Sequence, residues 1–328
     1  MTETKRELFI GSHLSTSGGW GKLLDRSHEE GGTTFAFFPR SPYGKRSKTL
    51  TEEGARVLAG QLRAEQYGPL VAHAPYVYNF AAKDESKREF AINAMEEDLR
   101  LLAAIRRAGQ PIYLNVHPGA HVGQGSETGC RLIAEGLSRV LNDLAESGDA
   151  VVPILLETMA GKGTECGRTF EEIVSIIDGI EQRLTVPAVQ MGELKEPETK
   201  SETGDGGESG SDPSVRHEPL VGVTLDTCHV FDAGYDLLND FDDVLARFDR
   251  IIGLDRLKAI HANDSINGLN SHKDRHANIG DGALGLPFFE RMVNDPRLNT
   301  LPMILETKEL TPTTHRDEIA LLRGLMQA

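Results

Sequence analysis

The side chains able to do chemistry fall at the ends of apolar runs rather than inside them. His13, His73, His117, Glu157, Asp226, His261 and Glu306 each close a short run of the kind that forms a buried parallel strand. His229 follows three residues after Asp226, and Asp274 and His276 form an Asp-x-His pair downstream of His261. The clearest case is residues 221–231, V-G-V-T-L-D-T-C-H-V-F. There Asp226 can stay on the strand while His229 turns inward from the start of a following helix. A carboxylate and an imidazole so placed suit a borderline cation such as Zn²⁺. Each residue alone has an ordinary explanation. Asp226 could be a helix N-cap, a strand-end His a hydrogen-bonded structural residue, and Glu157 and Glu306 salt-bridge partners. Those explanations do not cover the repetition of the pattern on strand after strand. Neutral imidazoles and carboxylates in this number suit about three four- or five-coordinate ions.

Such residues need a frame that brings strand ends together. The predicted strands are residues 8–13, 34–38, 69–73, 112–117, 152–158, 221–227, 257–262 and 302–307. Predicted helices lie between and after them, at 18–30, 51–66, 85–108, 127–146, 169–182, 235–252, 284–293 and 314–326, with Thr51 as the N-cap of the second. This alternation predicts an α/β chain folded as a single (β/α)₈ TIM barrel over residues 1–328, with its C-terminal strand ends facing one shared mouth. A doubly wound open sheet is the alternative, but Gly18-Gly19 lacks the spacing of a phosphate-binding fingerprint. Residues 190–219, rich in Glu, Gly, Ser, Lys and Pro, read as an acidic disordered insertion between helix five and strand six.

A hydrophobic fraction of 39% over 328 residues is enough for a sizeable core. Three scattered cysteines argue against a disulfide framework, and alternation turns Cys228 away from the mouth as a packing residue. The polar N-terminus and the lack of a long apolar run predict an intracellular protein with no signal peptide and no membrane partner. The net charge of −15 argues against a simple basic nucleic-acid binder, but the insertion carries eight acidic and three basic residues and so −5 of the total. Bound cations would neutralise part of the rest, so a polyanionic substrate stays open.

Residues 155–167 (L-L-E-T-M-A-G-K-G-T-E-C-G), 224–236 (T-L-D-T-C-H-V-F-D-A-G-Y-D) and 261–282 (H-A-N-D-S…D-R-H-A-N-I-G-D-G) resemble the three signature blocks of the endonuclease IV family. N-V-H-P-G at 115–119 and I-L-E-T at 304–307 are also similar. The resemblance spans the chain outside 190–219. It implies a zinc-dependent apurinic/apyrimidinic endonuclease with three Zn²⁺ ions, with Glu157 and Glu306 as catalytic ligands. His73 and His117 would hold the first ion, and Glu157 would bridge to the second. Asp226, His261 and Glu306 would complete the second, and His229, Asp274 and His276 would hold the third. His13 would support or line the mouth without being a ligand. Three Zn²⁺ ions would outweigh the four carboxylates among these ligands and make the mouth positive.

The basic loop at 39–48, with Arg40, Lys45 and Arg46, follows strand two and is expected to contact phosphate. Tyr76 matches a family position that inserts at the lesion, and Tyr43 stands where members often carry Arg. The implied activity is hydrolysis 5′ to an abasic site by multi-zinc phosphoryl transfer, leaving a 3′-hydroxyl, with removal of 3′ blocking groups in base excision repair. The implied partner is double-stranded DNA bearing such lesions, bound by a monomer. The insertion suggests a nuclear role, with the mitochondrion as a further compartment. A metal-dependent sugar isomerase on the same barrel is the alternative, and a non-catalytic lesion-binding protein a third. Asp274 and His276 argue against the isomerase, because they supply a third metal group that it would not need.

Overall fold

The computed structural model describes residues 8–41, 45, 50–185, 218–308 and 313–327. Seven of its strands are β1 (Ile10–Leu14), β2 (Ala36–Phe37), β3 (Leu70–His73), β4 (Ile112–Val116), β5 (Ile154–Glu157), β6 (Val221–Asp226) and β7 (Leu257–His261). A small hairpin of β8 (Asp264–Ser265) and β9 (His276–Ala277) precedes β10 (Met303–Leu305). The main sheet closes in the order β1-β10-β7-β6-β5-β4-β3-β2, with parallel pairing throughout. The expected (β/α)₈ barrel is therefore the fold.

The helices among the described residues are α1 (Trp20–Glu30), α2 (Glu52–Ala64), α3 (Glu85–Arg107), α4 (Ser126–Glu146), α5 (Phe170–Glu181), α6 (Thr227–Asp232), α7 (Phe241–Ile251), α8 (Gly285–Asn294) and α9 (His315–Gly324). Their starts follow local chemistry. Thr51 and Thr169 accept the backbone N–H three residues on, and Thr314 forms a capping box with Asp317. The sequence reading has His229 at a helix start but places that helix at 235–252 and does not separate α6 from it, and it does not foresee the β8–β9 hairpin. Both are too short to show a period of their own.

Two apolar layers position the site. A large cluster packs the helices onto the outside of the barrel. Inside, Ala36, Val71, Tyr113, Leu155, Ala259 and Ile304 form a separate plug. Side chains alternate faces along a strand, so the residue two positions past each plug residue also points inward, one layer nearer the C-terminal end. Those residues are Phe38, His73, Asn115, Glu157, His261 and Glu306. Between β6 and β7 the pairing shifts by one residue after Val223, which sets Asp226 directly opposite His261.

Most of the segment expected to be an insertion, 190–217, lies outside the described residues, between α5 and β6. Its last two residues are described, and Glu218 is tied down. Arg106 donates to one of its oxygens at 2.8 Å and the Tyr113 hydroxyl to the other at 2.8 Å. This end of the segment thus closes over the barrel end opposite the mouth.

Candidate metal centre

All nine expected ligands lie at the C-terminal mouth, in overlapping groups. His73, His117 and Glu157 bring ligand atoms together, as do Glu157, Asp226, His261 and Glu306, and Asp226, His229 and His276. Asp274 joins the last group, with Oδ1 3.1 Å from His229 Nε2 and 3.7 Å from His276 Nε2. A further grouping, His73 with His261 and Glu306, links the first two.

Glu157 is the hub. Its Oε2 lies 3.4 Å from His73 Nε2 and 3.2 Å from His117 Nε2, while Oε1 lies 3.3 Å from His229 Nδ1 and 3.2 Å from His261 Nδ1. One carboxylate therefore faces two neighbourhoods with different oxygens. Asp226 also divides its work. Oδ1 accepts the His229 backbone N–H at 2.8 Å and caps α6, while Oδ2 faces the site and accepts from Asn263 Nδ2 at 2.7 Å. The N-cap and the ligand explanations of Asp226 are thus compatible.

No cation need be assumed to test whether the donors suit one. His73 Nδ1 donates to the Ala74 carbonyl at 2.8 Å, His229 Nδ1 to the Thr158 carbonyl at 3.0 Å, and His276 Nδ1 to the Glu306 carbonyl at 3.4 Å. In His73 and His276 the bond leaves Nε2 as the nitrogen facing the mouth, while His229 Nε2 faces Asp274 Oδ1 at 3.1 Å. Among the described residues, the Nε2 atoms of His73 and His276 are buried without a hydrogen-bond partner. A buried orphan acceptor is costly unless something fills the role, and the donor set is that of a Zn-type site. The residues fit a divalent cation.

The electrostatics agree. Burial alone would raise the Glu157 and Glu306 carboxyls, but His117 and His261 hold Glu157 well below its usual range, and His261 does the same for Glu306. Burial would likewise discharge His229 and His261. Instead Asp226 and Asp274 hold the first up, and Glu306 and Glu157 the second. The carboxylates and imidazoles thus favour each other's charged forms against the cost of burial. His13 behaves differently. Burial and the neighbouring His73 push it down to about 4, and its ring packs 4.3 Å from Phe38 and 5.9 Å from His73. Among the described residues it joins no ligand group, and neither does buried Cys228.

Sequence reasoning passed over two supporting residues. Asn115 Nδ2 donates to Glu157 Oε2 at 2.5 Å. Asn263 binds Asp226 with its amide nitrogen and accepts the Glu306 backbone N–H at 2.9 Å with Oδ1. The signal for Asn115 was available, because it shares the inward phase of Tyr113.

The expected DNA contacts divide. Arg40 is only 4% exposed, and its guanidinium binds Asp98 at 2.8 Å, Glu97 at 3.0 Å and the Ala94 carbonyl at 2.9 Å on α3. Its reading as a phosphate contact is corrected: a buried aspartate offers a better-desolvated partner than solvent, and the side chain turns inward. Lys45 is exposed, while Tyr43 and Arg46 lie outside the described residues. Tyr76 is 60% exposed on the rim, its ring 5.7 Å from His73, 5.3 Å from His117 and 5.6 Å from Phe38.

Comparison with known proteins follows the same lines. Residues 24–186 and 214–325 match the family described as a xylose isomerase-like TIM barrel. Over 320 residues, 98% of this chain and 99% of the other, the sequence is 62% identical to a protein of Bifidobacterium longum named "Probable endonuclease 4". The crystal structure of endonuclease IV from Thermus thermophilus superposes with a TM-score of 0.72 at 28% identity, covering 96% of this chain and 98% of that one. A D-tagatose 3-epimerase-like protein superposes with a TM-score of 0.59 at 16% identity, covering 97% and 96%, which shows a common fold alone. Both endonuclease relatives are bacterial and give the expected nuclear role no support. Among the described residues no helix is long and apolar enough to cross a membrane.

Proposed function

We propose, from the premise that the chain belongs to the endonuclease IV family of xylose isomerase-like TIM barrels, that it is a metal-dependent DNA-repair endonuclease. It hydrolyses the phosphodiester 5′ to abasic sites, leaves a 3′-hydroxyl and also clears blocked 3′ ends. The supporting observation is the convergence of nine His, Asp and Glu side chains at the mouth, on a chain so similar, end to end, to an endonuclease 4.

Three Zn²⁺ ions fit the groups. His73, His117 and Glu157 would hold the first, Glu157, Asp226, His261 and Glu306 the second, and His229, Asp274 and His276 the third. When bound, such ions supply Lewis-acid stabilisation of charge on phosphoryl oxygens and a nucleophile at neutral pH. The chain's own residues prepare the place. Glu157 would be shared between the first two groups, facing each with a different oxygen, and Asn115 locks its orientation. Glu306 reaches His261 at 3.1 Å and His73 at 3.8 Å, closing the ring opposite Glu157. Tyr76 stands on the rim beside the first group, where its exposed ring face can stack on bases next to an extruded sugar, and Lys45 can meet backbone phosphate. Extrusion costs least where no base pair is lost. The enzyme acts as a monomer on double-stranded DNA.

The sugar isomerase alternative is weaker. The epimerase-like neighbour shares the fold at low identity, and the third group around Asp274 has no part in a two-metal sugar site. The test is incision of a duplex with one abasic site, with the metal content of the same sample measured by elemental analysis. Incision 5′ to the site with about three zinc ions per chain is expected. Ketose–aldose interconversion without incision would overturn the assignment.

A further inference from the structure

The third metal group differs from the others in how it is built. Two of its members, Asp274 and His276, come from the loop and hairpin after β7 rather than from a barrel strand. Asp274 also has a left-handed backbone, with φ of 52°. That conformation is uncommon outside glycine, although Asp adopts it more readily than most residues. The backbone at Asp274 is bound by Asp232, the last residue of α6, which is wholly buried. Its Oδ2 accepts the Asp274 backbone N–H at 2.9 Å, and its Oδ1 accepts the Ser265 hydroxyl at 2.7 Å. Its main-chain carbonyl accepts the His272 N–H at 3.1 Å. Ser265 stands directly opposite His276 in the β8–β9 pair. One carboxylate therefore fastens the arm that carries Asp274 and His276 and also the β8 strand with which His276 is paired. Asp232 also lies three residues after His229 on the same short helix, so the third imidazole and the fastening point move as one body.

We propose that Asp232 is the positioning residue of the third metal group. It sets the affinity and placement of that ion without touching it, by holding Asp274 and the β8–β9 hairpin against α6. This inference rests on the three-ion reading above. Residues behind metal ligands typically change metal affinity by about 10–100-fold when removed, and the loss here is confined to one ion of three.

The experiment is a zinc titration of the parent, Asp232→Ala and Asp232→Asn against a competing chromophoric chelator. Thermal unfolding of each metal-free protein is recorded alongside. The parent binding fewer than three ions would overturn the three-ion reading itself, separately from this inference. With three bound, Asp232→Ala should keep two at parental affinity and weaken the third by about 10–100-fold. Asp232→Asn keeps an oxygen for the Asp274 N–H but loses its charge, so the third ion should weaken by only a few-fold. Uniform weakening of all three ions, in step with lost thermal stability, would make Asp232 a general fold residue and overturn the proposal. Parental third-ion affinity in folded Asp232→Ala would also overturn it. If Asp232→Ala does not fold, the Asp232→Asn protein decides: selective loss supports the role, and parental affinity for all three ions refutes it.

Discussion

Replacing Arg40 with Met separates two roles that the sequence could not. Met keeps most of the apolar stem and removes the guanidinium. The Asp98 carboxylate then stays buried, with the Tyr78 hydroxyl at 2.6 Å but without its cation at 2.8 Å. Removing one member of a buried ion pair costs about 3–5 kcal/mol. An unfolding entropy of about 2.1 cal/mol/K per residue over 328 residues amounts to about 0.7 kcal/mol/K, so Tm should fall by about 4–7 °C. The loss should depend on pH. Burial pushes the Asp98 carboxyl from 3.8 up to about 6, against the pull of Tyr78 and Arg40. Between those values the native state holds a proton that the unfolded chain has released, so stability falls as pH rises through that window. Without Arg40 the carboxyl rises further and the window extends above 6. The deficit relative to the parent should therefore grow from about pH 5 to about pH 8. Thermal unfolding by circular dichroism across that range, with binding of abasic duplex at several salt concentrations, is the assay. The salt slope should stay at the parental value. A variant as stable as the parent whose slope is shallower by about one would restore Arg40 as a phosphate contact and refute the buried-anchor assignment.

Glu157→Gln keeps the shape of the hub and loses its charge. Incision should fall by several orders of magnitude in a folded protein, and near-normal turnover at full metal content would remove Glu157 from the centre of the site. Tyr76→Ala should weaken abasic-duplex binding by about 5- to 150-fold with bound zinc unchanged. Equal duplex affinity in a titration would assign the ring to covering His73 and His117, and loss of zinc would make it a support of the first group. Replacing residues 190–217 with a short Gly/Ser linker should leave incision and Tm nearly unchanged. By contrast, Glu218→Ala orphans Arg106 and the Tyr113 hydroxyl and should cost about 1–3 kcal/mol in denaturant unfolding. A linker variant that folds but does not incise would give that segment a part in binding.

The barrel and the inventory of its mouth were legible in the sequence because both depend on local regularities. A β-branched run followed by a helical period repeats along the chain, and alternation alone places His73, Glu157, His261 and Glu306 on the inward face. Topology then collects their ends, so six separate strand ends become one site without any contact having been foreseen. What the tertiary structure decided is how each side chain is held. The ring orientations of His73, His229 and His276 follow from carbonyls that local pattern does not mark as partners. The pairing of Asp226 with His261 depends on a one-residue shift between β6 and β7 that no periodicity reveals. Asp274 and His276 were visible as an Asp-x-His pair, but the hairpin that delivers them is held by Asp232, 42 residues away from Asp274. Arg40 shows the same limit in reverse. Four cations in a polar loop read as a phosphate contact, yet its partner Asp98 is 58 residues distant. Only folding brings that carboxylate close enough, and dry enough, for the ion pair to win over solvent and DNA.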